Sequence, residues 1–257
     1  MAMTTIAVTG SAGGMGAALR GRLERQGDTV IGIDVHDAEV IADLGTPEGR
    51  STMVDAVTDQ SGGHLDGLVV AAGITHDAGG PVVAVNYFGA VATLDGLRPL
   101  LAATGSASAV VVASNSGSTQ PDVPVDLVQL CLAGDEPIAV AAASDGIGAY
   151  AATKLALARW VRREAPTPPW IGSGIRLNAV APGFIATPMT AGALDFVLSL
   201  GDVYPIPVGR AGTAGEVASL LTYLLGPDAG FFCGSVIYMD GGTDAALRSE
   251  DWPTPRP

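Results

Sequence analysis

A tyrosine and a lysine one helical turn apart, Tyr150 and Lys154 in the run GAYAATKLALA, are the residues in this chain best suited to moving a proton. Side chains at i and i+4 share one face of a helix, so the phenol and the ammonium can act on the same bound molecule. A free phenol has a pKa of about 10, and each unit of lowering needs about 1.4 kcal/mol of preferential phenolate stabilisation. A neighbouring ammonium stabilises in that direction. Taken alone the pair is a weak signal, because half-buried helix tyrosines and solvated lysines are common. It gains force from TGSAGGMG at residues 9–16, which directly follows an apolar run and reads as a strand turning through glycines into a helix. Such a turn cradles a nucleotide pyrophosphate.

Each glycine in that turn has a physical use. Gly10 allows a sharp bend, while Gly14 and Gly16 let backbone approach phosphate oxygens and let the helix approach its strand. The spacing is G-x-x-x-G-x-G rather than the commoner G-x-G-x-x-G. Asp34 ends the next apolar run, where a carboxylate can accept both adenosine ribose hydroxyls. It would also repel a 2′-phosphate, and neither the glycine loop nor Val35 and His36 brings an Arg or Lys to bind one. These residues predict NAD in preference to NADP. A ligand-free glycine turn and a solvated strand-end acid are the plainer readings of each feature singly, and their conjunction argues against both.

The elements that must carry these groups are legible as alternating runs. Apolar strand-like segments fall at 5–8, 30–34, 68–71, 109–114, 176–181 and 236–239, with helix-period segments at 15–26, 82–103, 147–164 and 214–225. Continuous buried strands alternating with helices predict an α/β fold, a doubly wound parallel sheet of Rossmann type with helices on both faces. No internal repeat or linker divides the chain. We expect a single domain over 1–250 and a Pro-rich tail at 251–257.

Composition narrows the partners. At 48% hydrophobic and 15% charged, 257 residues can bury about three quarters of their unfolded surface in one core. A net charge of -13, with 26 acidic against 13 basic residues and no Lys/Arg cluster, argues against nucleic acid. No apolar run approaches the roughly 20 residues of a membrane span, and the start, MAMTTIAVTG, has no leader pattern, so the expectation is a cytoplasmic protein. Cys131 and Cys233 have no framework spacing and are expected to be packed free thiols. His36, His64 and His76 lack metal-ligand spacing and read as surface or loop residues.

TGxxxGxG, AAG at 71–73, NYFG at 86–89, a serine ending an apolar strand, YAATK and PGFIAT together resemble the short-chain dehydrogenase/reductase family over nearly the whole chain. The resemblance implies a catalytic set of Ser114, Tyr150 and Lys154, with Asn86 positioning a proton-relay water. It implies dinucleotide contacts from Gly10, Ser11, Gly14, Met15, Gly16, Asp34, Ala72, Gly73, Tyr150 and Lys154. Asp43, followed by Leu44, resembles the acid that meets adenine, and Ile185 and Thr187, after Pro182 and Gly183, resemble the positions holding the nicotinamide carboxamide. Removing hydride from an alcohol carbon requires its hydroxyl proton to leave, and Tyr150 is the candidate base, or the acid in the reverse direction. Ser114 would steady the substrate oxygen as charge develops, and Lys154 would hold the ribose.

Two assignments carry rivals. ASNSGS also offers Ser116 and Ser118; Ser114 is chosen because it ends the apolar strand and leaves Gly117 in the family's glycine position. Asn86 lies in a long apolar helix, where an amide must be hydrogen-bonded, so a structural amide bonding backbone competes with the relay role. The stretch between Ser114 and Tyr150 is longer than in most of the family, with helical periodicity at Val125, Val128, Leu132 and again at 138–143. An insert at about 118–145 is similar to that of the bacterial 3α-hydroxysteroid dehydrogenase/carbonyl reductase group. It could roof the substrate cleft, occupy a tetramer face and leave a dimer, or merely decorate the surface.

The segment 189–207, with Met189, Leu194, Phe196, Val197, Leu198 and Leu200, could form an apolar lid over a small hydrophobic alcohol or ketone, steroid-like by resemblance. Trp170, Tyr204 and Tyr223 have no role assignable from sequence. The expectation is therefore an NAD-dependent oxidoreductase, working as a homodimer or homotetramer and interconverting a secondary alcohol and a ketone. A non-catalytic NAD-binding sensor or scaffold is the alternative, and an epimerase or dehydratase of the extended branch is left little room by the length.

Overall fold

The computed structural model describes residues 4–251. Of the tail read at 251–257, residues 252–257 lie outside the described residues. The chain begins with strand β1 (Thr5–Thr9), helix α1 (Gly14–Gln26), β2 (Thr29–Asp34), the two-residue β3 (Val40–Ile41) and α2 (Pro47–Ser61). β4 (Gly67–Val70) leads into α3 (Gly79–Val83), a π-helical turn at Ala84–Gly89 and α4 (Ala90–Thr104), which run on as one helical rod. After β5 (Ala107–Val112) come α5 (Ser116–Thr119), α6 (Val125–Ala133), α7 (Glu136–Ala142) and the long α8 (Gly146–Glu164). β6 (Ile175–Pro182), β7 (Ile185–Ala186), α9 (Leu194–Ser199), β8 (Gly212–Thr213), α10 (Ala214–Leu225), β9 (Val236–Met239) and α11 (Thr243–Leu247) complete it.

Seven strands form one parallel sheet in the order β3-β2-β1-β4-β5-β6-β9, and β7 pairs with β8 in a separate two-stranded ribbon. The expected doubly wound fold is present. Successive strand side chains point to opposite faces, so each strand feeds two cores. Ile6, Val8, Val69, Val110 and Val112 pack against Leu19, Leu23, Val217 and Leu221 of α1 and α10. Ala7, Leu68, Val70, Ala109 and Val111 pack against Met53, Val57, Leu94, Leu97 and Leu157 of α2, α4 and α8. Burying each large aliphatic side chain contributes about 1.5–3 kcal/mol, which is why both strand faces are apolar and the runs show no alternation.

Some elements depart from expectation. α2 is not visible as an apolar stripe because its buried positions include Arg50 and Ser61 beside Met53 and Val57. The strand expected over 109–114 stops at Val112, since the chain bends away there, although Ala113 and Asn115 still donate to Val180 and Pro182 carbonyls at 2.8 and 2.9 Å. Cys131 is a buried free thiol, but Cys233 is exposed, because it follows α10 in a surface turn rather than a packed element. The three histidines are exposed. Trp170 is buried and meets Trp160 edge to face at 5.9 Å, a core role, while Tyr223 lies half exposed against Phe232. Among the described residues no helix is long and apolar enough to cross a membrane, and no cluster could hold a metal ion.

Candidate active site

The C-terminal ends of the parallel strands surround a cleft of about 670 Å³, within the size range of small-molecule and cofactor sites. Open α/β sheets bind ligands at this edge, where the connections leave the sheet to opposite sides. Its middle is the glycine turn. Gly10 has φ +70°, and a β-carbon there would sit 2.8 Å from the Ala72 amide nitrogen. A β-carbon on Gly16 would collide with the Gly10 carbonyl, so both positions are tied to glycine by close backbone approach. Gly14, at φ +51°, faces the Thr187 side chain. Gly13 caps α1 without a side-chain acceptor, leaving the first amides of the helix for an anion. The Ser11 hydroxyl is buried without a partner. A bare helix start, glycines at the points of closest approach and an orphaned hydroxyl fit a pyrophosphate-bearing dinucleotide.

One end of the cleft is formed by Asp34, Val35, Asp43 and Leu44. Asp34 Oδ2 accepts from the Ala12 amide at 3.0 Å and Oδ1 from Val35 at 2.7 Å, which fixes the carboxylate at the lip. Asp43 Oδ1 accepts from Gly45 at 2.8 Å. Among the described residues lining the cleft there is no Arg or Lys. The other end runs past Ala72 and Gly73 to Thr187 and Met189.

α8 delivers the proton-handling pair. Asp145 caps it, accepting from the Gly148 amide at 2.7 Å, and buried Ala149, Ala151, Ala152 and Ala156 let it pack closely on the sheet and its neighbours. Lys154 is 4% exposed, and its Nζ donates to the Val112 carbonyl at 2.9 Å. Burial pulls its pKa down to about 8. Nζ stands 5.6 Å from the Tyr150 ring centroid. Burial pushes the Tyr150 phenol above its ordinary value, a hydrogen bond with Ser114 pulls it back, and the nearby Tyr204 adds to the rise. Lys154 does not line the cleft but comes close to it behind Gly73, where a β-carbon would lie 3.4 Å from Nζ and 3.3 Å from Asn86 Oδ1. The bare glycine keeps a space open between ammonium and amide.

Of the three nearby serines, Ser114 is the one whose hydroxyl acts on the Tyr150 phenol, pulling its pKa down. Its Oγ also accepts from the Ser116 amide at 3.2 Å, whereas Ser118 turns to Asp244 at 2.5 Å and the Ser116 hydroxyl is buried without a partner. Asn86 is fully buried in the π turn. Its Oδ1 accepts from the Ile74 amide at 2.8 Å and its Nδ2 donates to the Ile74 carbonyl at 2.9 Å, so the amide clasps the loop after β4. Pro182, Gly183 and Ile185 stand behind the cleft wall. Gly183 packs on the Asp240 backbone, and the Ile185 side chain is buried. Met15 and Thr187 line the cleft directly.

The sequence reading missed Asn115, Tyr204 and Asp240. Asn115 Nδ2 donates to the Tyr204 hydroxyl at 3.0 Å and to Asp240 Oδ2 at 3.3 Å, and Asp240 Oδ2 accepts the Asp244 amide at 2.7 Å. The residue after Ser114 is thereby tied to the segment that overhangs the site and to the end of β9. Adjacency to Ser114 could have flagged Asn115; nothing local marks Tyr204, which joins from far along the chain.

A family model described as enoyl-(acyl carrier protein) reductase matches residues 138–244. The chain is 37% identical over 256 residues to a 3-alpha-hydroxysteroid dehydrogenase/carbonyl reductase of Comamonas testosteroni, covering 96% of this chain and 98% of that protein. It is 29% identical to a 2-(R)-hydroxypropyl-CoM dehydrogenase of Xanthobacter autotrophicus, covering 93% and 97%. The crystal structure of the 3-alpha-hydroxysteroid dehydrogenase from Pseudomonas sp. B-0831 complexed with NADH superimposes with a TM-score of 0.88 at 44% identity, covering 96% of this chain and 99% of that one.

Proposed function

Since this chain belongs to the short-chain dehydrogenase/reductase family of oxidoreductases, we propose that it interconverts a secondary alcohol and a ketone on a hydrophobic substrate, using NAD. The observation that carries the reading is the Tyr150 phenol beside Ser114, with the Lys154 ammonium 5.6 Å from its ring and close to Gly73, which lines the glycine-rich cleft. Gly10, Ser11, Gly14, Met15 and Gly16 hold the pyrophosphate. Asp34 takes the adenosine ribose, and Asp43 and Leu44 flank the adenine. Ala72, Gly73, Tyr150, Lys154 and Thr187 would surround the nicotinamide riboside, with Pro182, Gly183 and Ile185 supporting Thr187 from outside the cleft lining. The bound dinucleotide supplies or accepts hydride at its nicotinamide ring.

The protein's own groups handle the proton. In reduction, Tyr150 gives its hydroxyl proton to the carbonyl oxygen while Ser114 donates a hydrogen bond to the same atom. In oxidation Tyr150 takes the proton back. Lys154, buried and anchored on Val112, stabilises the phenolate that forms in reduction and orients the ribose. Asn86, whose Oδ1 lies beside Gly73, places a relay water near Lys154. NAD is preferred over NADP because the Asp34 carboxylate, held by the Ala12 and Val35 amides, repels a 2′-phosphate. The similarity to a 3-alpha-hydroxysteroid dehydrogenase complexed with NADH supports both the cofactor and a steroid-sized apolar substrate.

The chain works as one domain over 1–250, as a cytoplasmic homodimer or homotetramer; sedimentation decides between the two assemblies. The enzymatic reading is tested by following NADH formation and consumption with hydroxysteroids, cyclic ketones and aliphatic secondary alcohols, with both cofactors. Turnover with NAD and an apolar alcohol is expected. Activity with NADP alone would remove the role given to Asp34, and binding of NADH without turnover of any substrate would favour a sensor or scaffold.

A further inference from the structure

The end of the cleft made by Asp34 and Asp43 rests on a buried cation that the chemistry above leaves unused. Arg50 of α2 is 9% exposed, and its guanidinium joins three elements. Nε donates to the Leu44 carbonyl at 2.7 Å and one η nitrogen to the Ala84 carbonyl at 3.0 Å. Both η nitrogens meet the Glu136 carboxylate at 2.6 Å each. Leu44 and Ala84 both line the cleft. Glu136 comes from α7, in the long connection between Ser114 and Tyr150.

A bidentate carboxylate fixes the plane of a guanidinium as well as compensating its charge, so Glu136 sets the direction in which Arg50 donates to the two carbonyls. α7 has little freedom to drift. Gly79 and Gly80 of α3 admit it so closely that β-carbons there would stand 2.8 Å from the Ala143 β-carbon and 3.2 Å from Val140 Cγ1. The Leu44 carbonyl is also closely approached by Gly89, where a β-carbon would lie 2.7 Å away.

We propose that the 118–145 segment braces the cofactor cleft, with Glu136 acting through Arg50 as a positioning residue for the adenosine half of the dinucleotide. This rests on the reading of the cleft as a dinucleotide site. Removing the Glu136 carboxylate leaves Arg50 without its counter-ion and free to tilt, so the wall carrying Asp43 and Leu44 loosens while Tyr150, Lys154 and Ser114 stay in place.

The test is a calorimetric or fluorescence titration of wild type, Glu136→Gln and Glu136→Ala with NADH and with ADP-ribose, alongside steady-state kinetics at saturating NADH. The Kd for both ligands is expected to rise about tenfold in Glu136→Ala and about threefold in Glu136→Gln, with kcat within about twofold of wild type. Dissociation constants within about 1.5-fold of wild type in both variants would overturn the brace while leaving the dinucleotide reading intact. So would a parallel fall in kcat, the mark of general loosening. A wild-type protein that binds neither ligand would overturn both.

Discussion

The cleft between Asp34 and Gly73 and the segment that overhangs it after β7 follow opposite construction rules. The cleft is made of strand ends, positive-φ glycines and carboxylates held by backbone amides, backed by fully buried Ile33 and by Leu44 at 5% exposure. The overhang is a chain of short turns around the six-residue α9, which has no buried residue. Phe196 is 65% exposed and Val203 70%. The cleft recognises by fixed backbone geometry, which suits an invariant ligand. The overhang presents apolar side chains on a scaffold with few tertiary ties, which suits a variable ligand that itself completes the packing. Tyr204 is where the two join, through Asn115 beside Ser114.

The contrast can be broken at several points. Tyr150→Phe should lower kcat by about 10³-fold or more while NADH affinity stays within about twofold, because only the proton carrier is lost. Undiminished turnover would take Tyr150 out of the mechanism. Gly16→Val should cost about 2–3 kcal/mol of stability and weaken NADH binding by about tenfold or more, since its β-carbon collides with the Gly10 carbonyl. A variant that melts and titrates like wild type would mean the turn is looser than described.

The pH profile probes the junction. Reduction needs Tyr150 protonated and Lys154 charged. Tyr150 is shifted upward and Lys154 down to about 8, so lysine deprotonation comes first as pH rises. The reduction rate should be level near pH 7 and fall on passing through about 8; a rate still level at pH of about 9 would disprove the ammonium's part. The smallest effect is expected at the overhang. Tyr204→Phe deletes its bond to Asn115, worth about 1 kcal/mol, and should raise the substrate KM several-fold with NADH affinity unchanged. An equal loss in NADH affinity would show that the two regions are not separable.

The sequence was most informative where physics is local. Buried parallel strands are apolar on both faces, so β1, β2, β4, β5, β6 and β9 stand out, and a glycine turn must show its glycines. α2 escaped although Thr46 caps it, accepting from the Gly49 amide, and Pro47 follows at the first helical position. Its inward face carries Arg50, so the apolar stripe is broken by the residue that reaches Glu136. Asn86 was expected inside a regular helix, but the π turn has no composition of its own. The choice among Ser114, Ser116 and Ser118 turns on where α5 begins, which sequence leaves uncertain by a residue or two. Tyr204, Asn115 and Asp240 meet across long separations, and no local pattern encodes such a meeting.

The last strand of the sheet, β9, pairs with β6 and hands Asp240 to Asn115, the residue after Ser114. The residues that cradle the pyrophosphate come from β1 and α1, whereas Asp240 follows β9, the last strand of the sheet in chain order. Parallel sheets zip slowly because their pairings are distant in sequence. Because α1 packs on α10 and Asn115 bonds to Asp240, the cradle and the catalytic end both take their final form only after the late elements have joined the sheet.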